Sequence, residues 1–213
     1  MFMNMNKKVK YSHSILLIIF FIVFIWSMIN PKDFFTWFLE VFPAIIGCIV
    51  VVSTYNRFKF TTFVYTLILI HTVILMIGGH YTYAEMPLFN YIRDIFGLSR
   101  NYYDRLGHFA QGFIPALISR EILIRKSVLN KGKMLFFIVV CICLSISASY
   151  ELVEWGVATA TGTAADAFLG TQGDVWDTQW DMFMALIGSV TALSMYSSVH
   201  DRYINLLYRK KVN

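Results

Sequence analysis

Six stretches of the chain, residues 14–29, 34–53, 60–78, 104–124, 134–155 and 177–199, are apolar over most of their length. Each approaches the roughly 20 residues that a helix needs to cross a bilayer core. None alternates with the two-residue period of a half-buried strand. The pattern predicts an all-α polytopic membrane bundle of about six transmembrane helices, folded as one integral membrane domain over residues 1–213. The first stretch follows Lys7, Lys8 and Lys10, as a signal peptide would. What comes after it is Asn30-Pro31-Lys32-Asp33, not a small-residue cleavage site, so a retained anchor is expected. Glu40 and Pro43 interrupt the second stretch and His71 the third, and the fourth is the most polar.

Composition agrees with the pattern. Apolar residues make up 57% of the 213 and charged residues 15%, against about 25% charged in soluble domains. This argues against a soluble globular domain, a disordered chain and a disulfide-rich secreted module. The net charge of +5 would raise the question of nucleic acid in a soluble protein; here the basic residues act as topology signals, and no nucleic-acid partner is expected. Fourteen of the eighteen Lys and Arg residues fall on one side of the six spans: Lys7, Lys8, Lys10, Arg57, Lys59, Arg120, Arg125, Lys126, Lys131, Lys133, Arg202, Arg209, Lys210 and Lys211. Lys32, Arg93, Arg100 and Arg105 fall on the other. The positive-inside rule then places both termini in the cytoplasm. Cys48, Cys141 and Cys143 all lie within apolar runs and read as small buried hydrophobes.

Two long loops fall on the outer side. In residues 80–103, Pro87 can open a short helix that ends at Gly97, with Leu88, Ile92, Ile95 and Phe96 near one face. A helix lying on the membrane surface is expected there. The aromatic residues around it need be no more than an interfacial belt. Residues 156–176 form the second loop, rich in small residues including Thr163, Ala164 and Ala165, with Asp166 as a turn residue.

The ionisable residues are not scattered. Asp104, His108 and Gln111 share one helical face of the fourth span; Glu151 and Glu154 share one on the fifth; Asp174, Asp177 and Asp181 share one at the start of the sixth. All three sets lie at the outer boundary, with Glu40 and His71 in the outer half of their spans. The cytoplasmic half has no comparable set: Arg120 and Glu121 can snorkel, and His13 and His200 carry no signal. The six carboxylates of the three faces have one cation fixed near them by sequence, Arg105. Like charges so close in a low dielectric must bind protons or a cation. Oxygen donors suit Mg²⁺, Ca²⁺ or Mn²⁺, and a histidine brings in Zn²⁺. Bland readings stand beside this one. Asp177 reads equally well as a helix cap, Glu154 as a solvated helix end, Glu40 with His71 as a structural hydrogen-bonded pair, and His108 with Asp104 as a structural contact.

Three segments, Asp104-Arg105-Leu106-Gly107-His108-Phe109, Tyr150-Glu151-Leu152-Val153-Glu154-Trp155 and the long run from Phe168 to Met182 through Gly170, Gly173 and Trp176, resemble the YjdF-like bacterial inner-membrane proteins, a family of unknown function. The resemblance implies the bacterial cytoplasmic (inner) membrane and a multi-pass architecture, and it supplies no reaction. A looser similarity is to the VanZ-like membrane proteins, linked to resistance to glycopeptide antibiotics; Arg105 and His108, Glu151 and Glu154, and Asp181 with Gly188 fill the places of their short motifs. That similarity implies the outer envelope as a place of action.

The leading functional expectation is an inner-membrane protein with a divalent-cation site at the outer leaflet, acting on a lipid or an envelope precursor. Asp104, His108, Asp177 and Asp181 are the expected metal ligands. Glu151 or Glu154 is the expected general base on bound water. The alternatives are a cation or small-solute transporter and a non-catalytic membrane scaffold, in which Arg93, Arg100 and Arg105 and the loops satisfy the carboxylates.

Overall fold

A computed structural model describes residues 2–162 and 166–212. The chain is helical: α1 Phe2–Met28, α2 Phe34–Thr54, α3 Thr62–Tyr81, a 3-10 turn at Tyr83–Glu85, α4 Pro87–Phe96, α5 Tyr103–Arg125, α6 Lys133–Thr161, α7 Asp166–Leu169 and α8 Asp177–Val212. Five of these, α1, α2, α3, α6 and α8, are long and apolar enough to cross a membrane. Helix α5 is 23 residues long but carries Asp104, Arg105, Arg120, Glu121 and Arg125, and these charges separate it from the other five.

Helix boundaries follow local chemistry. Asp33 caps α2, its Oδ1 accepting from the Thr36 amide at 2.7 Å. That bond and one to the Thr36 side chain hold the Asp33 carboxyl below its ordinary range. The expected surface helix is α4, with Pro87 in its first turn and Gly97 in the left-handed conformation at its end. It buries no residue, and Leu88, Tyr91, Ile95 and Phe96 are exposed. Two elements outrun expectation. Helix α6 continues past Trp155 to Thr161, where Thr159 and Thr161 hydroxyls donate back to the carbonyls of Trp155 and Val157; small residues that suggest a loop here extend the helix instead. Helix α8 runs on to Val212. Asp166 opens α7 instead of forming a turn, and residues 163–165 of the small-residue loop lie outside the described residues.

The core of the bundle is the parallel pair α5 and α8. Gly112 packs on the backbone of Ala185, and Gly188 on that of Phe109 and Phe113. A methyl group at Gly112 would stand 1.9 Å from the Ala185 carbonyl oxygen, so glycine is what permits this approach. Ala185, Ser189 and Ala192 continue the small-residue stripe, all with no exposed surface. Helices α3 and α6 flank the pair, while α1 and α2 lie outside against α3. The early part of α1 and the late part of α8 lie at the same end: His13 hydrogen-bonds Tyr55 and Thr62, and His200 meets Glu121, whose partner is Thr61.

That end holds a finding the sequence did not lead us to expect. Glu121 is fully buried and accepts from the Thr61 amide at 2.9 Å, the Thr61 hydroxyl at 2.8 Å and Arg125 at 2.5 Å, with His200 Nε2 at 3.0 Å. Arg120 reaches His200 Nδ1 at 3.3 Å and Asp201 at 2.7 Å, and Lys131 closes on Asp201 at 2.8 Å. Arg120 and Glu121 therefore do not snorkel, and His200 is a buried hub. Every charged partner in this knot is met by an opposite one, as low dielectric requires.

Candidate functional site

The opposite end of the bundle is built differently. Its scaffold is the loop before α5. Asn101, with no exposed surface, donates to the carbonyl of Met86 at 3.0 Å and to Asn90 at 2.8 Å, and its Oδ1 accepts from the Tyr103 amide at 3.0 Å. Its backbone pairs twice with the Gln172 side chain, both at 2.9 Å. The turn that delivers Gln172 has positive φ at Gly170, Gln172 and Gly173, which glycine adopts without penalty. So the two long loops are stitched together over the ends of α5 and α8.

Beneath this stitching two guanidiniums meet four aspartates. Asp177 Oδ1 accepts from Arg100 at 2.5 Å and from Arg105 at 2.6 Å. Arg105 also binds Asp181 Oδ1. Asp174 Oδ2 lies 3.4 Å from both arginines, and Asp104 Oδ2 lies 3.6 Å from Arg100 and 3.5 Å from Arg105. The expectation of one nearby cation is therefore corrected: there are two, and both are buried. Arg100 lies in the loop before α5, four residues ahead of Asp104 and outside the helix, so helical periodicity gave no signal for it. Gln172 and Asn101 had none beyond their position in the distinctive segments.

One layer deeper the pairing becomes incomplete. His108, buried, has Nε2 3.4 Å from Asp104 Oδ1 and 3.7 Å from Asp181 Oδ1. Its Nδ1 stands 3.8 Å from Glu151 Oε1, too far for a hydrogen bond. Among the described residues, several buried atoms have no hydrogen-bond partner, His108 Nδ1 and Glu151 Oε1 of this layer with Gln111 Oε1, Ser147 Oγ and His71 Nε2 among them. Orphans of this kind are uncommon in folded proteins and mark water, ions or function. Glu154, half-buried, lies within electrostatic range of Glu151, His108, Glu40 and Asp104. Glu40 is buried and accepts from the Tyr150 hydroxyl at 3.4 Å; no hydrogen bond joins it to His71 among the described residues. The expected Glu40–His71 pair is replaced by two groups that each face the cluster.

Asp104, His108 and Asp181 each offer a donor atom, and these three atoms lie within 4.8 Å of one another. Two ligands bound at about 2.1 Å to one ion stand about 3.0 Å apart at an octahedral corner and about 3.4 Å apart at a tetrahedral one. The 3.4 and 3.7 Å separations around His108 are close to these values, and the Asp181 oxygen concerned is also the one that Arg105 binds. Asp177, expected as a fourth ligand, has its Oδ1 turned to the arginines. Beside the aspartates a vestibule of about 500 Å³ opens, lined by Arg100, Tyr102, Arg105, Asp174, Trp180 and Met184 among others. Val175, Trp176 and Trp180 are exposed at its edge.

The sequence profile of a family described as predicted membrane proteins, DUF2238, matches residues 12–202, which include every long helix and both polar clusters. The chain belongs to this family. A curated DUF2238 relative, the inner membrane protein YjdF of Escherichia coli strain K12, is 48% identical over 183 residues, which are 86% of this chain and 88% of YjdF. No solved structure matches. The DUF2238 chain is thus a multi-pass protein of the bacterial inner membrane, with a lipid bilayer around its apolar faces.

Proposed function

We propose that this protein is a single six-span domain, α5 included, with both termini cytoplasmic, and that its outer-leaflet cluster is a divalent-cation site acting on a lipid or an envelope precursor. Asp104, His108 and Asp181 would hold the cation, and Asp177 would place the two arginines beside it. The observation that carries this reading is the convergence of those three donors beside buried orphan atoms of His108 and Glu151. A carboxylate behind a metal-bound histidine orients the ring, which suits Glu151. Glu154, less buried and nearer the mouth, suits the role of general base on a bound water. The vestibule and its exposed tryptophans suit a substrate that arrives from the outer leaflet.

The scaffold reading has an observation of its own: Arg100 and Arg105 meet all four aspartates. It leaves Glu40 and Glu154 without an ion-pair partner among the described residues. Transport is disfavoured by the buried layer of Ile114, Leu117, Val139, Cys143 and Leu193, which lies between the two polar ends.

Purified protein stripped with EDTA should gain thermal stability from at least one of Mg²⁺, Mn²⁺, Ca²⁺ and Zn²⁺. At a hundredfold excess over Kd the gain is about 2.7 kcal/mol, a shift of several degrees for a chain of this size. Asp181→Asn and His108→Ala should abolish the shift. Glu154→Gln should keep it yet fail to complement a deletion strain at matched membrane levels. No shift with any of the four ions would leave the scaffold.

Topology has its own test. A reporter active only outside the cytoplasm should work after Ile29 or Gly97 and stay silent after Asn56, Asn130 or the C-terminus. The fourteen-to-four division of basic residues is the ground for this. An active C-terminal fusion would refute the orientation.

A further inference from the structure

Away from the cluster, α1, α2 and α3 enclose a groove of about 250 Å³ at the end of the bundle where the chain begins. Its lining is graded along its length. Phe20, Ile68, Leu69 and Thr72 lie toward the middle of the helices, whereas Lys10, His13, Tyr55 and Asn56 lie at the mouth. The helices that form it are long and apolar enough to cross a membrane, which sets the groove against lipid. An apolar space of this size does not hold water and is not left void in a bilayer. The mouth is positive. Lys10 and Lys59 are both exposed, and Lys59 Nζ sits 4.8 Å from the centre of the Tyr55 ring. No Asp or Glu occurs in residues 1–32 or 41–84. Glu121, the acid at this end that reaches α3, already has all its partners.

From this gradient we infer that the groove is a binding site for one anionic phospholipid of the leaflet on the N-terminal side. An acyl chain lies along Phe20, Leu69 and Thr72, and the phosphate sits between Lys10 and Lys59. An apolar channel with Lys10 in its lining and Lys59 beside the Tyr55 ring at its mouth matches a tail with a negative head at one end. Each lysine near a lipid surface favours an anionic head by roughly fivefold, so the pair predicts a preference on the order of thirtyfold. The site is distinct from the outer cluster and does not depend on its chemistry.

The test uses full-length protein in nanodiscs of phosphatidylcholine containing a small fraction of phosphatidylglycerol with a photoreactive acyl chain. Crosslinks should map to residues 10–20, 48–56 and 65–72. Unlabelled phosphatidylglycerol should compete at far lower concentration than phosphatidylcholine. Lys10→Gln with Lys59→Gln, two exposed positions, should erase most of that preference while moving the melting temperature of the protein by no more than a degree or so. Cys48→Phe should abolish the crosslinks by filling the groove. Equal competition by the two lipids, or crosslinks spread evenly over α6 and α8, would overturn the proposal. So would a dimer by mass with crosslinks between copies at α1 and α2, because a second copy would then cover the groove.

Discussion

Arg105→Ala should destabilise the protein by about 3–5 kcal/mol, the cost of leaving buried carboxylates without their partner. Arg105 binds Asp177 at 2.6 Å and Asp181 at shorter range, and it is itself buried. Its removal strands Asp181 and leaves Asp177 to Arg100 alone. Thermal unfolding in detergent and the amount of protein in the membrane should both fall sharply. Arg105→Lys should recover only part of the loss, since one ammonium cannot bridge two carboxylates in the fixed fork of a guanidinium. Arg105→Ala combined with Asp181→Asn should be more stable than Arg105→Ala alone, because one stranded charge is gone. If Arg105→Ala melts like the parent, the aspartates are held by something other than the arginine, and a bound cation becomes the first candidate.

An effect of similar size is expected at the helix contact below. Gly112→Ala puts a methyl group 1.9 Å from the carbonyl oxygen of Ala185, and Gly188→Ala puts one 2.1 Å from that of Phe109. Both obstacles are backbone, so no rotamer change relieves them and α5 must move off α8. Overpacking costs typically about 1–3 kcal/mol and sometimes more; these positions belong at the upper end, and Val at either should be worse than Ala. Because Asp104 and His108 ride on α5 and Asp181 on α8, the variants should also weaken any cation-dependent shift. Gly47→Ala and Gly156→Ala are the controls. Both lie in helices with nothing within 4 Å of the added carbon, and alanine there should be neutral or stabilising by up to about 1 kcal/mol. Destabilisation by the controls equal to that at Gly112 would remove close packing as the cause.

Long apolar runs announced most of the fold, because a bilayer-spanning helix has to be apolar over its whole length. Proline and glycine bracketed α4 for an equally local reason. The ends of α6 and α8 were not legible. Gly156 and the small residues after it look like a loop, yet the Thr159 and Thr161 hydroxyls satisfy carbonyls within a continuing helix. For the Asp–His cluster, spacing placed Asp104, His108 and Asp181 on faces that do meet. What spacing could not reveal was which atoms remain unpaired, since that depends on the separation of His108 from Glu151 across two helices. The Glu121–His200 knot escaped for the opposite reason. Its members come from α5, α8, the cap of α3 and the loop before α6, and each alone looks like an ordinary polar or charged residue near a helix end.

The pairing of α5 with α8 has a consequence for how the protein fits its bilayer. Arg105 with Asp181 fastens the two helices at one end and Arg120 with Asp201 at the other. The fifteen residue steps from Arg105 to Arg120 span about 22 Å of helix, with the two glycine contacts in between. Parallel rods riveted at both ends cannot slide past each other to change their combined length. When the surrounding bilayer thins or thickens, this pair can only tilt as one body. Helices α1 and α2, which have no ion pair to α8 among the described residues, are free to re-angle separately. The hydrophobic mismatch is therefore absorbed at the margin of the bundle, and the spacing of Asp104 and Asp181 across the α5–α8 pair is insulated from membrane thickness.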